Sequence, residues 1–96
     1  MIHHVVLIRL KPEVDGPRTR AFLDEARSLL SPIPGVKNFR SGIHIKSDSP
    51  FPCALVMDFS TTGDLQAYQV HPEHQSFVKE VLGPIVEEKQ VYDYDC

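Results

Sequence analysis

The chain has 96 residues, with 10 Lys and Arg against 13 Asp and Glu, and a formal net charge of −3. That length makes one domain, 1–96, which buries roughly 60–70% of its unfolded surface. A pI near 5.9 and the lack of any Lys/Arg run exclude a nucleic-acid footprint. The longest aliphatic run, Val5-Val6-Leu7-Ile8, is followed at once by Arg9 and Lys11, so it is far too short to span a bilayer. No basic, apolar leader with a small-residue cleavage site is visible, and a soluble cytoplasmic domain with no membrane contact is expected.

Residues 3–10 are rich in β-branched side chains and closed by Pro12. They predict a first strand, apolar on both faces and therefore central. Asp15-Gly16-Pro17 is a helix-start signal. Phe22, Leu23, Ala26, Leu29, Leu30 and Ile33 follow at helical spacing, and Pro32-Ile33-Pro34-Gly35 stops the helix. Residues 36–45 alternate as a second, less apolar strand, expected at an edge, with a bulge at Gly42. His44 is expected to face solvent, and 46–52 is a polar loop.

Residues 53–59 predict a third strand, again largely apolar on both faces. Thr61 and Asp64 form a capping pair for a short helix through Leu65, Tyr68 and Val70. Pro72 suits a first helical position, and His71 before it is pushed out of the α region. From there His74, Phe77, Val78, Val81 and Ile85 recur at three- and four-residue spacing, so His74 is expected on the core side of this helix. Gly83-Pro84 ends or kinks it, 87–89 is a hydrated turn, and 90–94 closes the chain as a fourth strand.

Cys53 and Cys96 are the two cysteines. Neither lies in a Cys-x-x-Cys pair, so a structural zinc site has no support, and a disulfide between them has little motive in a cytoplasmic chain. His71 and His74 have ligand-like spacing, but His71 precedes the helix and three or four converging ligands are not evident. No metal and no cofactor is expected.

The order βαββαβ, with the second helix broken in two, predicts an α+β ferredoxin-like fold. Its four-stranded antiparallel sheet has strands one and three in the centre and helices on one face. The other face would then be an exposed apolar patch, which a second copy packed sheet to sheet would close as a homodimer. Strand four beside strand one brings Asp93 near His4. A carboxylate there fixes the imidazole tautomer and stabilises the imidazolium. If His4 is on the helix side, it and His74 look into the same space.

The opening His-His-Val-Val-Leu-Ile-Arg-Leu-Lys, the turn Ile33-Pro34-Gly35-Val36, the motif Tyr68-x-x-His71-Pro72-x-His74 and the close Tyr92-Asp93-Tyr94 resemble the Dabb family of stress-responsive A/B-barrel domains. The resemblance implies a ferredoxin-like fold and a homodimer whose two sheets form a barrel. The family includes stress-associated plant proteins and a cofactor-independent plant polyketide cyclase that closes a linear tetraketide by aldol condensation. His4, Tyr68, His74 and Asp93 match that cyclase's functional histidine, tyrosine, histidine and nearby aspartate. Ser76 and Val78 stand where it has glycines, a difference that bears on pocket width.

Two main readings follow. In one, His74 is the base that removes a proton next to a carbonyl, Tyr68 donates to the developing enolate oxygen, and His4, oriented by Asp93, holds a carbonyl or shuttles the proton. In the other, the chain is a non-catalytic stress-responsive dimeric module whose cavity binds a small apolar ligand; the expected partner besides itself is thus a small apolar or, in the first reading, carbonyl-containing molecule. A haem- or metal-dependent oxygenase is a third reading, for which a ligand set is missing.

Overall fold

The computed structural model describes residues 1–46 and 48–96. Ser47, within the predicted 46–52 loop, lies outside the described residues. The elements run β1 (Ile2–Leu10), α1 (Gly16–Leu30), β2 (Lys37–Ile43), β3 (Cys53–Phe59), α2 (Thr62–Gln69), α3 (Pro72–Ser76), a π-helical segment (Phe77–Leu82) and β4 (Val86–Asp95). The strands form one sheet in the order β2-β3-β1-β4, and β1 pairs antiparallel with both β3 and β4. This is the ferredoxin-like arrangement with β1 and β3 central. No helix is long and apolar enough to cross a membrane among the described residues.

Local signals place the helices. Asp15 caps α1 by accepting from the Arg18 backbone N–H at 2.9 Å, and Thr61 caps α2 by accepting from that of Asp64 at 3.1 Å. Phe22, Leu23, Ala26 and Leu30 turn inward from α1. They meet Ile8, Leu55, Met57 and Phe59 on the sheet, which form the core with Tyr68 and Phe77. Gly35, with φ of 91°, makes the turn into β2 in the left-handed region that favours glycine.

Four expectations need correction. The helix from Pro72 does not continue in α geometry. Its last turns widen to π, and Gly83 N–H donates five residues back to the Val78 carbonyl at 2.8 Å. The extra residue per turn sets Phe77 and Leu82 on the buried face, while Val81 is only half-buried. Gly83 permits this closure, because a Cβ there would stand 2.9 Å from the Lys79 carbonyl oxygen.

The bulge in β2 is not at Gly42, which pairs regularly with Ala54. The register shifts between Lys37 and Arg40, where Asn38 has φ of 52°. Asparagine tolerates that conformation, and its side chain is held there by a 3.0 Å bond to Asp58. Strand β2 also stops at Ile43, so His44 lies beyond it, exposed as expected.

Strand β4 begins at Val86 rather than 90. Glu87 and Glu88, read as part of a turn, instead meet Arg9 of β1 at 2.8 and 3.6 Å. An exposed edge strand accommodates such charges. Cys53 and Cys96, for which a disulfide had little motive, are both free, the first buried and the second exposed. Burial pushes the Cys53 thiol up.

The helix-free face carries His3, Val5 and Leu7 of β1 opposite Asp58, Val56 and Ala54 of β3. Tyr94 and Tyr92 of β4 lie beside His3 and Val5, and both tyrosines are exposed. Asp58 is 4% exposed. Its carboxylate is met by His3 Nδ1 at 2.5 Å, Asn38 Nδ2 at 3.0 Å and Arg40 at 3.4 Å. Burial alone would raise its pKa, but these donors together outweigh that and hold it below the usual carboxylate value. A depressed carboxylate stabilises the fold above its unfolded value of about 3.9, and the contribution is lost as pH falls through the lower folded value. Asp58→Asn is therefore expected to flatten the fall of Tm below about pH 4. An unchanged acid limb of Tm against pH would refute this role.

Candidate functional site

Between the helix-facing side of the sheet and α2, α3 and the π segment lies a cavity of about 280 Å³. Its walls are mostly apolar: Val6, Leu55, Met57, Phe77, Val78 and Leu82. Five side chains with polar atoms also line it: His4, Tyr68, Gln69, His74 and Lys89.

Each expected site residue arrives by a different route. His4 is on the inward face of β1, 4% exposed. The β1–β4 register sets it directly opposite Asp93, and Asp93 Oδ1 lies 2.5 Å from His4 Nδ1. A carboxylate there accepts from Nδ1–H and leaves Nε2 on the other side of the ring. Asp93 itself does not line the cavity; it acts on the site through His4.

Tyr68 projects inward from α2 and is 1% exposed. Its ring centroid lies 4.4 Å from that of His74, 5.9 Å from that of His4 and 5.0 Å from that of Phe59. Burial pushes its phenol well above the usual range, so the hydroxyl keeps its proton and is a donor. Among the described residues no buried side-chain oxygen or nitrogen lacks a partner.

His74 follows from the Pro72 helix start. His71 ends the preceding segment in extended geometry, and its own Nδ1 accepts from the Glu73 backbone N–H at 3.1 Å. That bond makes His71 a helix cap rather than a partner of His74. The His74 Nδ1 stands 3.0 Å from the Gln69 carbonyl oxygen. A carbonyl can only accept, so Nδ1 carries the proton and Nε2 is bare. Burial lowers the His74 pKa most, and the positive fields of His4 and Lys89 add to it, against the opposing bond to Gln69. The imidazole is thus neutral near pH 7, a base rather than an acid.

The structure brings His4, Tyr68 and His74 to one cavity and ties Asp93 to the first of them. Two lining groups, Gln69 and Lys89, were not among the expected site residues. Lys89 lay in the predicted turn. Its signal was the alternation Lys89, Val91, Asp93, which becomes visible once β4 is extended toward Val86. Of the two positions noted for pocket width, Val78 lines the cavity. Ser76 instead donates to Glu80 at 3.3 Å on the exposed side.

The profile of the stress responsive A/B barrel domain, Dabb, matches residues 2–96. A stress-response A/B barrel domain-containing protein of Arabidopsis thaliana is 26% identical over 95 residues. The match covers 98% of this chain and 36% of that relative, so the chain spans about a third of its length. Among solved structures, a Dabb-family protein with a ferredoxin-like fold from Mesorhizobium loti superposes with a TM-score of 0.89 at 29% identity, over 99% of this chain and 95% of that one. A dimeric ferredoxin-like protein from Thermobifida fusca gives 0.84 at 22% identity, over 99% and 90%. A hydroxynitrile lyase from Passiflora edulis gives 0.82 at 20% identity, over 97% and 90%.

Proposed function

The chain belongs to the stress-responsive A/B barrel (Dabb) family, and on that premise we propose that it is a homodimeric, cofactor-independent proton-transfer enzyme acting next to a carbonyl. Residues 1–96 form one such domain. The observation that supports this best is a neutral imidazole against a protonated phenol in one apolar cavity: His74 with Nδ1 held by Gln69, its ring 4.4 Å from Tyr68. His74 removes the acidic C–H proton through Nε2. Tyr68 donates to the oxygen on which charge develops, in surroundings of low polarity where such a bond is strongest. His4 is the second polar anchor, and Asp93 is a positioning residue that sets its tautomer. Aldol cyclisation and isomerisation both use this set, and one structure of the same fold, from Passiflora edulis, is a hydroxynitrile lyase.

The homodimer is supported by the helix-free face, where Val5, Leu7, Val56, Tyr92 and Tyr94 stand together, and by the dimeric structural relative. The free cysteines fit a reducing, cytoplasmic setting.

The test is deuterium exchange at the methyl group of a neutral aryl ketone, 4-acetylbenzamide, in D2O. Exchange above the buffer rate is the expected result. Binding without exchange would overturn the enzyme reading and favour the second one, a dimeric module whose largely apolar cavity holds a small molecule.

A further inference from the structure

The floor of the cavity changes character along the sheet. The β1–β4 register sets His4 opposite Asp93, Val6 opposite Val91 and Ile8 opposite Lys89. One end is thus an imidazole–carboxylate pair, the middle is two valines, and the far end carries an ammonium group. Lys89 and Asp93 are four residues apart on one strand, about 14 Å between Cα atoms at the rise of an antiparallel strand. A linker of a few carbons, together with the reach of a flexible lysine side chain, is enough to bridge that span.

Among the described lining residues Lys89 is the only one with a formal charge when the histidines are neutral, and none is Asp or Glu. The acids next to it along the strand, Glu87 and Glu88, are held by Arg9. The Asp93 charge is engaged by His4. The field of Lys89 also reaches His74, which therefore lies within range of both ends of the floor. Lys89 thus offers the cavity a cationic group that a neutral ligand would leave unanswered, beside apolar walls that favour a carbon skeleton.

We propose that the ligand is an oxo acid, with its carboxylate at Lys89 and its carbonyl at the Tyr68 and His4 end. The apolar stretch between them lies over Val6 and Val91. This rests on the reading of His74 and Tyr68 as a proton-transfer pair, and it names Lys89 as the specificity-determining residue for that site. In this arrangement the proton beside the carbonyl is presented to His74 while the carboxylate fixes the direction of entry.

The experiment compares 4-acetylbenzoate with its neutral isostere 4-acetylbenzamide, by NMR titration at low ionic strength. The wild-type protein should bind the benzoate about tenfold tighter, as a charge-assisted contact gives, and added salt should erode the difference. Lys89→Met should bring the affinity ratio near one, Lys89→Glu should reverse it, and Lys89→Arg should restore it. Lys89 is exposed, so these variants should fold, and the ratio is read on folded protein in each case. Equal affinities in the wild type, or a benzoate preference that survives in Lys89→Met, overturns the inference, while exchange of the benzamide still tests the His74 base. A wild type that binds neither probe overturns both.

Discussion

Replacing His74 by alanine is expected to cut α-proton exchange of 4-acetylbenzamide by about a thousandfold, within the range for losing a positioned general base. Tyr68→Phe should cost less, about a hundredfold for one lost donor to a developing oxyanion. It keeps the ring that packs on Phe59 and His74. Both variants should remain folded, since His74 is only half-buried and lies against the cavity rather than filling the core. The pH dependence follows from the same geometry. The base is the neutral imidazole, and its pKa is lowered from 6.5. Exchange should therefore rise with pH and level off before 6.5 is passed, where an ordinary histidine would still be titrating.

The linked stability effect has a definite sign. A histidine with a lowered folded pKa leaves the unfolded chain binding more protons below pH ~6.5. Its neutral burial therefore contributes nothing unfavourable above that pH and opposes folding progressively as pH falls toward the folded value. His74→Ala should remove this part of the acid slope. Thermal melts and exchange rates on the same samples separate the alternatives. A destabilised His74→Ala that keeps its full exchange rate per folded molecule would mean that the histidine is structural.

The second large effect concerns the helix-free face. Leu7→Asp is expected to convert a dimer to a species near 10.9 kDa, the mass of one chain, in sedimentation equilibrium at micromolar concentration. Leu7 is half-buried in the single chain, between Ala54 on β3 and Gln90 on β4. In a sheet-to-sheet dimer it would lose its remaining water. An unpaired carboxylate there costs several kcal/mol, which is more than a hundredfold in dissociation constant. Leu7→Met, of similar volume and no charge, should remain dimeric. A wild type that sediments as one chain, or a Leu7→Asp protein that still pairs, would remove the dimer from the proposal.

Much of this architecture was legible before any tertiary contact was known. The Val5–Ile8 run marked a central strand because both of its faces are apolar. Asp15, Thr61 and Pro72 marked helix starts because capping and fixed φ are properties of a few adjacent residues. The His4–Asp93 pair was legible for a different reason. In a βαββαβ order the last strand lies antiparallel beside the first, so topology alone sets their ends together.

What the chain order could not decide were features that depend on distant partners or on backbone closure. The π turn lets Leu82 rather than Val81 fill the core, and it exists because Gly83 can approach the Lys79 carbonyl. The left-handed Asn38 is held by Asp58, twenty residues away. Strand β4 extends back to Val86 because β1 supplies pairing as far as Leu10 and Arg9 takes up Glu87 and Glu88. That extension, invisible to local propensity, puts Lys89 in the cavity. The tautomer of His74 was likewise beyond the sequence, since the carbonyl of Gln69 reaches its ring only after α2 ends and α3 turns back. Periodicity and capping are encoded by near neighbours, which is why the elements and their order could be read along the chain. The protonation and charge of the cavity arise instead from groups distant along the chain, which meet only when it has closed.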